Sequence, residues 1–226
     1  MKNNNQLVKY IILSIFALAL IFLIGFIGQS KVITFIDKLI VGIIFILSLI
    51  LGISFAIKPG WYKIQKSKEK SELKKESSNG FKGHHPNCKN FSSHTIIIKN
   101  KTYCSGCLGL IIGSAFTIFL IVLYLLFDLP LINFHIFLLI GILLILGLFV
   151  IIIFFKKNPI IRILSNSIFV FSFFIIVISI LEITGSYTYG LLTGLFCFLL
   201  VDTRIQMSKW SHANECKNCE KDCKMY

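Results

Sequence analysis

Six long apolar stretches limit this 226-residue chain to one kind of fold. Hydrophobic residues make up 56% of the sequence, and they are concentrated in these stretches. About 20 apolar residues in a helix can cross the roughly 30 Å hydrocarbon core of a bilayer. We therefore predict an all-α, polytopic integral membrane helical bundle. Its six spans are predicted at residues 11–27, 33–57 or 39–57, 108–127, 132–155, 160–181 and 188–201.

The first and last of these spans differ from the others. The first follows a short polar segment and resembles a signal sequence, but no cleavage site of the A-x-A type follows it, so we predict an uncleaved span. The last, over residues 188–201, is short for a hydrocarbon core. We expect it to begin nearer Thr184 or to lie in a locally thinned bilayer.

The basic residues predict the orientation of the bundle. If the N-terminus is cytoplasmic, 21 of the 23 Lys and Arg residues lie on the cytoplasmic side, and only Lys31 and Lys38 lie outside. Cytoplasmic loops carry such an excess of positive charge. The prediction is a multi-pass protein of the cell membrane with both termini cytoplasmic, in contact with the lipid bilayer. No nucleic-acid partner is expected.

This topology divides the chain into five parts. The segment 58–103 carries eleven lysines and three glutamates. This excess of positive charge either sets the orientation in the membrane or binds the segment to anionic lipid. The five parts are a transmembrane hairpin (1–57), a basic cytoplasmic linker (58–80), a cytoplasmic Cys/His knuckle (81–107), a transmembrane bundle (108–201) and a cytoplasmic Cys-rich tail (202–226).

The knuckle contains two pairs of metal-ligand residues. His85 and Cys88 are separated by two residues, fifteen residues follow, and Cys104 and Cys107 are again separated by two. Two such pairs at this separation are typical of a tetrahedral zinc site, here with one His in place of a Cys. A reducing cytoplasm disfavours disulfides, so a metal is the preferred interpretation of these cysteines.

The residues between the two pairs can form a β-hairpin. Residues 95–98 and 101–103 are predicted as two short strands around a turn at Lys99 and Asn100, which gives a zinc-ribbon-like fold. The histidine ligand is left open, because His84 can replace His85, and His94 can replace either.

The tail contains a second cluster, formed by His212, Cys216, Cys219 and Cys223. In a helix these residues would share one face but extend over about 16 Å, too far for all four to bind one ion. The tail therefore either folds irregularly around its own metal or lends pairs of ligands to sites shared with the loop. Zinc is the predicted metal, with an iron–sulfur cluster as the alternative.

Two pairs of glycines indicate how the clusters could approach each other. Gly109 and Gly113 follow the first cluster, and Gly190 and Gly194 precede the second. Glycines four positions apart let membrane helices pack closely. Packing of the third span against the sixth would bring the clusters together. The alternative is that each glycine pair packs against a different helix.

The same residues leave the function open. Cys104 and Cys107 at the start of a helix could form a membrane thiol redox pair or part of a metal-dependent enzyme. A transporter or metal sensor is a further alternative, although no charged residue lies mid-span and the only polar cluster partly inside a span is Ser165, Asn166 and Ser167. With no P-loop, G-x-S-x-G or H-E-x-x-H motif, we favour a non-enzymatic scaffold with a protein partner at the cytoplasmic face.

The segment G-H-H-P-N-C, the following F-S-S-H-T, and C-S-G-C-L-G-L together resemble a family of small polytopic membrane proteins from archaea and bacteria. The resemblance covers residues 83–113 and the general layout of spans. This chain has Gly106 and Leu108 where that family has Arg and Thr. Because no activity is established for the family, the resemblance implies a membrane location and adds no catalytic role.

Overall fold

The computed structural model describes residues 2–28, 32–57, 95–98, 101–127, 133–154 and 158–216. Within these residues the chain forms six α-helices and one two-stranded sheet. In chain order the elements are α1 (Lys2–Ile27), α2 (Phe35–Ile57), β1 (Thr95–Ile98), β2 (Lys101–Cys104), α3 (Ser105–Leu126), α4 (Phe134–Phe154), α5 (Pro159–Thr184) and α6 (Tyr187–Cys216).

All six helices are long and apolar enough to cross a membrane. Large apolar side chains cover the outside of the bundle, and Phe16, Leu51, Leu143 and Leu195 are each more than half exposed. Such a surface is unfavourable in water but suits hydrocarbon. The prediction of a six-helix, multi-pass membrane protein is confirmed at this level.

Helix α5 forms the centre of the bundle. Inside the bundle 72% of its spanning segment is buried, against at most 33% for any other helix. It makes extensive contacts with α3, α4 and α6, and its Phe169, Ile176, Ile180 and Leu181 belong to the main core. Any side chain that links α5 to a neighbour is therefore well placed to connect several helices.

Local sequence signals fix the ends of α2 and α5. Thr34 and Asp37 form a capping box at the start of α2, in which the Asp37 amide donates to Thr34 Oγ1 at 3.2 Å and Thr34 N donates to Asp37 Oδ2 at 3.1 Å. Helix α5 begins with an Asn158 cap and Pro159, and it ends at Gly185, whose φ of 58° is left-handed.

The helices alternate in direction and create two ends of the bundle. The end of α1 at Gly28 lies beside Thr184 at the end of α5, so these two helices run in the same direction. Thr203 of α6 instead contacts Tyr10 and Ser14 near the start of α1. We call the end with β1, β2, the starts of α3 and α5 and the last turns of α6 the hairpin end, and the other the opposite end.

The structure corrects two predicted boundaries. The prediction of a short sixth span was wrong, because α6 has 30 residues and continues to Cys216, through residues assigned to the tail. Thr203 bonds to α1 and Arg204 bonds to α5, so polar side chains in this extension are satisfied within the bundle. Helix α5 likewise continues to Thr184, which leaves only Gly185 and Ser186 as the connection to α6.

Candidate metal and thiol site at the hairpin end

The predicted β-hairpin is confirmed by the structure. Strands β1 and β2 pair antiparallel, with Thr95 opposite Cys104 and Ile98 opposite Lys101. The second strand is one residue longer than predicted and ends at Cys104. Helix α3 begins at the next residue, so the Cys104–Cys107 motif joins a strand directly to the first turn of a helix.

The two cysteines of this motif are close to each other. Cys104 is the N-cap residue of α3 and is buried, whereas Cys107 in the first turn is half-buried. Their side chains interact, and neither sulfur forms a disulfide. The unpaired backbone N–H groups and the dipole of a helix N-terminus favour negative charge. The burial of this pair opposes the thiolate form that both metal ligation and thiol exchange use, and a bound metal ion would offset this cost.

Two glycines bring the start of α3 against α5. A Cβ added at Gly109 would lie 2.4 Å from the Ile163 carbonyl oxygen, and one at Gly113 would lie 2.6 Å from the Ser167 Cα. No side chain can occupy either space without moving backbone. The hydroxyl of Ser167 donates to the Gly109 carbonyl oxygen at 2.8 Å, which links the two helices at their closest approach.

A chain of hydrogen bonds connects the cysteine motif to α5 and α6. The Asn166 side-chain amide donates to the carbonyl oxygen of Gly106 at 3.0 Å. Its side-chain oxygen accepts a short hydrogen bond from Nη2 of Arg204 on α6. One buried asparagine therefore binds the first turn of α3, within the C-x2-C motif, and a guanidinium of α6 at the same time.

The structure answers the question of how the glycine pairs pack. Gly109 and Gly113 face α5, whereas Gly190 faces Val41 and Leu181, and a Cβ at Gly194 would meet nothing within 4 Å. The hypothesis that these glycines pack α3 against α6 was wrong, and the alternative that the two pairs do not face each other is confirmed. Helix α5, through Asn166, connects the two helices at the hairpin end.

Only four of the nine predicted metal ligands lie within the residues that the structure describes. Cys104 and Cys107 are brought together, and His212 and Cys216 lie in the last turns of α6. Outside the described residues lie His84, His85, Cys88, Cys219 and Cys223, as does the alternative ligand His94. Within the described ranges no three His, Cys, Asp or Glu side chains form a group that could hold a metal.

The groups that surround the motif have no predicted role. The sequence shows Asn166 and Ser167 as polar residues inside a span, but it does not predict their bonds to the backbone of α3. The visible signal was a Ser-Asn-Ser triplet in an apolar run opposite glycines of another span. Small and polar residues at matching depths indicate a close helix contact.

The opposite end contains a second polar cluster. Lys38 Nζ lies 3.1 Å from Glu182 Oε1, and the Tyr124 hydroxyl donates to the same oxygen at 2.6 Å. The Lys38 ammonium also lies 5.2 Å from the centre of the Tyr124 ring. The cluster joins α2, α3 and α5, so Glu182 is a partner within the bundle rather than only a solvated residue at a membrane boundary.

No protein family, no curated protein and no solved structure matches the chain. The resemblance of residues 83–113 to a family of small membrane proteins therefore stays a prediction.

Proposed function

We propose that this membrane protein is a scaffold whose hairpin end is stabilised by a structural zinc ion and offers a cytoplasmic surface to a protein partner. The ligands would be Cys104 and Cys107 together with Cys88 and either His84 or His85. The observation that carries the proposal is the adjacent pair of thiols at the junction of β2 and α3. In zinc ribbons the ligands likewise lie in knuckles at the ends of short strands.

The small size of the hairpin supports a structural role for the metal. Two four-residue strands have little core of their own and need another source of stability. Binding of a structural metal contributes folding free energy directly. The bond from Asn166 to Gly106 would transmit this stability to the bundle, because it fixes the knuckle to α5.

Elemental analysis of the purified protein tests the metal. The wild type is expected to contain about one zinc ion per chain, and Cys107→Ser to lose most of it because one of four ligands is removed. Cys219→Ser shows whether the tail shares the site or holds another. Cys197→Ser is the matched control, since Cys197 is buried within α6 in the spanning region. Metal content near zero in the wild type would refute the proposal.

A thiol redox function is the second candidate, and the contact between the two thiols at the start of α3 favours it. A redox pair would form a reversible Cys104–Cys107 disulfide at a defined potential, whereas a zinc site would keep both thiols reduced. Redox titration followed by mass spectrometry separates these outcomes. The transporter and metal sensor alternatives remain predictions without a specific supporting contact.

The cytoplasmic location of the hairpin end is part of the same proposal. Single-cysteine variants at Lys209 and at Val32, which are exposed at the two ends, can be tested with a membrane-impermeant maleimide in intact cells. We expect labelling at position 32 and none at position 209 until the cells are opened. The reverse result would place the cysteines in an oxidising compartment, where disulfides become the better interpretation.

A further inference from the structure

A cavity of about 220 Å³ lies at the hairpin end, among α1, α4, α5 and α6. Its polar wall includes Arg162 and Ser165 of α5 and Arg204 and Trp210 of α6, and its apolar wall includes Leu7 and Ile151. Neither the predicted metal site nor the proposed function uses these arginines. The cavity therefore needs an explanation of its own.

Arg204 brings a positive charge into the bundle that no carboxylate in the described ranges neutralises. Its guanidinium donates to Asn166, a neutral amide, and in the described part of the chain no carboxylate pairs with it. Asp202, two residues earlier, interacts with the Tyr10 hydroxyl instead. A charged side chain within the membrane-spanning region normally has a counter-charge, because its desolvation is costly.

Arg162 increases the positive potential in the cavity. It lines the same space, and its charge acts on the Arg204 guanidinium. The Asp and Glu residues of the described ranges contribute nothing to the lining. Two arginines around one space are a common arrangement for recognising phosphate, because each guanidinium presents planar N–H donors that match phosphate oxygens.

The rest of the cavity fits an apolar tail rather than a free ion. Leu7, Ile11 and Ile161 line it together with Ile151, which is 36% exposed. An apolar chain in the cavity could therefore lie along this wall. A volume of about 220 Å³ corresponds to roughly seven water molecules of liquid volume, enough for a phosphate group and the first part of a chain.

From this geometry we propose that the cavity binds the phosphate head group of an anionic phospholipid from the adjacent leaflet, with Arg162 and Arg204 as the phosphate-binding residues. The glycerol and first methylenes would lie against Ile151 and Ile161, and the acyl chains would extend along the outside of the bundle. Basic pockets between transmembrane helices commonly hold such head groups.

Trp210 lines the cavity, so quenching of its fluorescence by a brominated lipid measures how far that lipid occupies the cavity. The chain has two tryptophans, so Trp61→Phe leaves Trp210 as the only reporter. In mixed detergent micelles, we expect brominated phosphatidylglycerol to quench Trp210 at a concentration at least about fivefold lower than brominated phosphatidylcholine. This ratio corresponds to about 1 kcal/mol for one basic contact. Equal quenching by the two lipids would refute the proposal, whatever the variants do.

Charge-removing variants then locate the binding residues. Arg162→Gln and Arg204→Gln are each expected to weaken the anionic lipid about fivefold or more. Lys209→Gln is the matched control, because it removes an equal charge from an exposed position of α6 in the same turns. If Arg204→Gln disturbs folding by breaking its bond to Asn166, Arg162→Gln alone still tests whether the arginines of the cavity bind the lipid. An equal loss in Lys209→Gln would indicate only general attraction to the surface.

A final arm separates lipid from free phosphate. Inorganic phosphate at millimolar concentration is expected to leave the quenching by brominated phosphatidylglycerol unchanged, since it lacks the apolar part that the cavity fits. If phosphate displaces the lipid completely, the site binds a soluble phosphate, and the assignment to lipid is wrong. The zinc content of Arg162→Gln should remain that of the wild type. The lipid proposal and the zinc proposal can therefore be refuted independently of each other.

Discussion

The side-chain amide of Asn166 lies 3.0 Å from the carbonyl oxygen of Gly106, between the two cysteines of the C-x2-C motif. Asn166 is 4% exposed and also accepts from Arg204. A buried amide that uses both its donor and its acceptor fixes the relative positions of three helices. The cysteine motif is thus attached to the centre of the bundle through a single side chain.

Replacement of Asn166 by leucine, which has the same number and branching of side-chain heavy atoms, should loosen the cysteine motif. Both hydrogen bonds are lost, and the Arg204 guanidinium loses a buried acceptor, so we expect a cost of about 1–3 kcal/mol in unfolding free energy. Reaction of Cys107 with a maleimide should also become faster, as followed by peptide mass spectrometry. Denaturation in mixed micelles gives the stability.

Ser179→Ala is the matched control for this prediction. Ser179 is also buried in α5, but its hydroxyl has no hydrogen-bond partner among the described residues. Its removal should be neutral or slightly stabilising, because an unsatisfied buried hydroxyl contributes nothing favourable. If Asn166→Leu has no greater effect than Ser179→Ala, the bridge between helices does not stabilise the protein.

The two glycine pairs should respond differently to alanine. Gly113→Ala forces a methyl group to 2.6 Å from the Ser167 Cα and should destabilise the protein by about 1–3 kcal/mol, because α3 and α5 must separate. Gly194→Ala has open space and should be neutral or gain up to about 1 kcal/mol from helix propensity. Thermal unfolding in detergent compares the two variants, and equal effects would contradict the assigned packing.

Hydropathy was sufficient to predict the six helices, but it failed for the second half of α6. Residues 202–216 contain Asp202, Arg204 and Lys209, so the pattern there is that of a soluble tail. The structure continues the helix because Thr203 and Arg204 find partners on α1 and α5. Such tertiary bonds between distant residues are invisible to an average over neighbouring ones.

Local sequence signals were sufficient to predict the β-hairpin and the pair of cysteines. They were not sufficient to predict which helix packs against the site. Short runs that contain β-branched and aromatic residues on both sides of Lys99 and Asn100 predicted strands β1 and β2, the second of them one residue too short. The glycine spacing showed that α3 packs closely against another helix but could not say which one, because all spans offer an apolar face. The partner is α5, where Ser167 is small enough to allow the approach.

The contact between Thr203 and α1 provides a test of the longer α6. The Thr203 hydroxyl lies 2.5 Å from Ser14 Oγ and 3.2 Å from the Tyr10 carbonyl oxygen. Thr203→Val keeps the shape and removes these bonds, so we expect a loss of about 0.6–1.7 kcal/mol, which are the average and the largest value for hydrogen bonds between membrane helices. Ser48→Ala, which removes a bond within one helix only, is the control and should be close to neutral. If residues 202–216 were a detached tail, Thr203→Val would have no effect on unfolding.

The pair of Lys38 and Glu182 should show strong coupling in a double-mutant cycle. Each side chain is only 13% exposed, and Glu182 also accepts from Tyr124. Glu182→Gln keeps an oxygen for Tyr124 but removes the charge, so it isolates the ion pair from the hydrogen bond. Either Lys38→Met or Glu182→Gln alone leaves a poorly solvated polar or charged group, whereas the double variant leaves no isolated charge. We therefore expect each single change to destabilise the protein, and the double change to cost less than their sum by about 1–3 kcal/mol.

Unfolding of the four proteins in mixed micelles measures this coupling. Strictly additive effects would mean that the two side chains are solvated independently in the membrane-embedded protein.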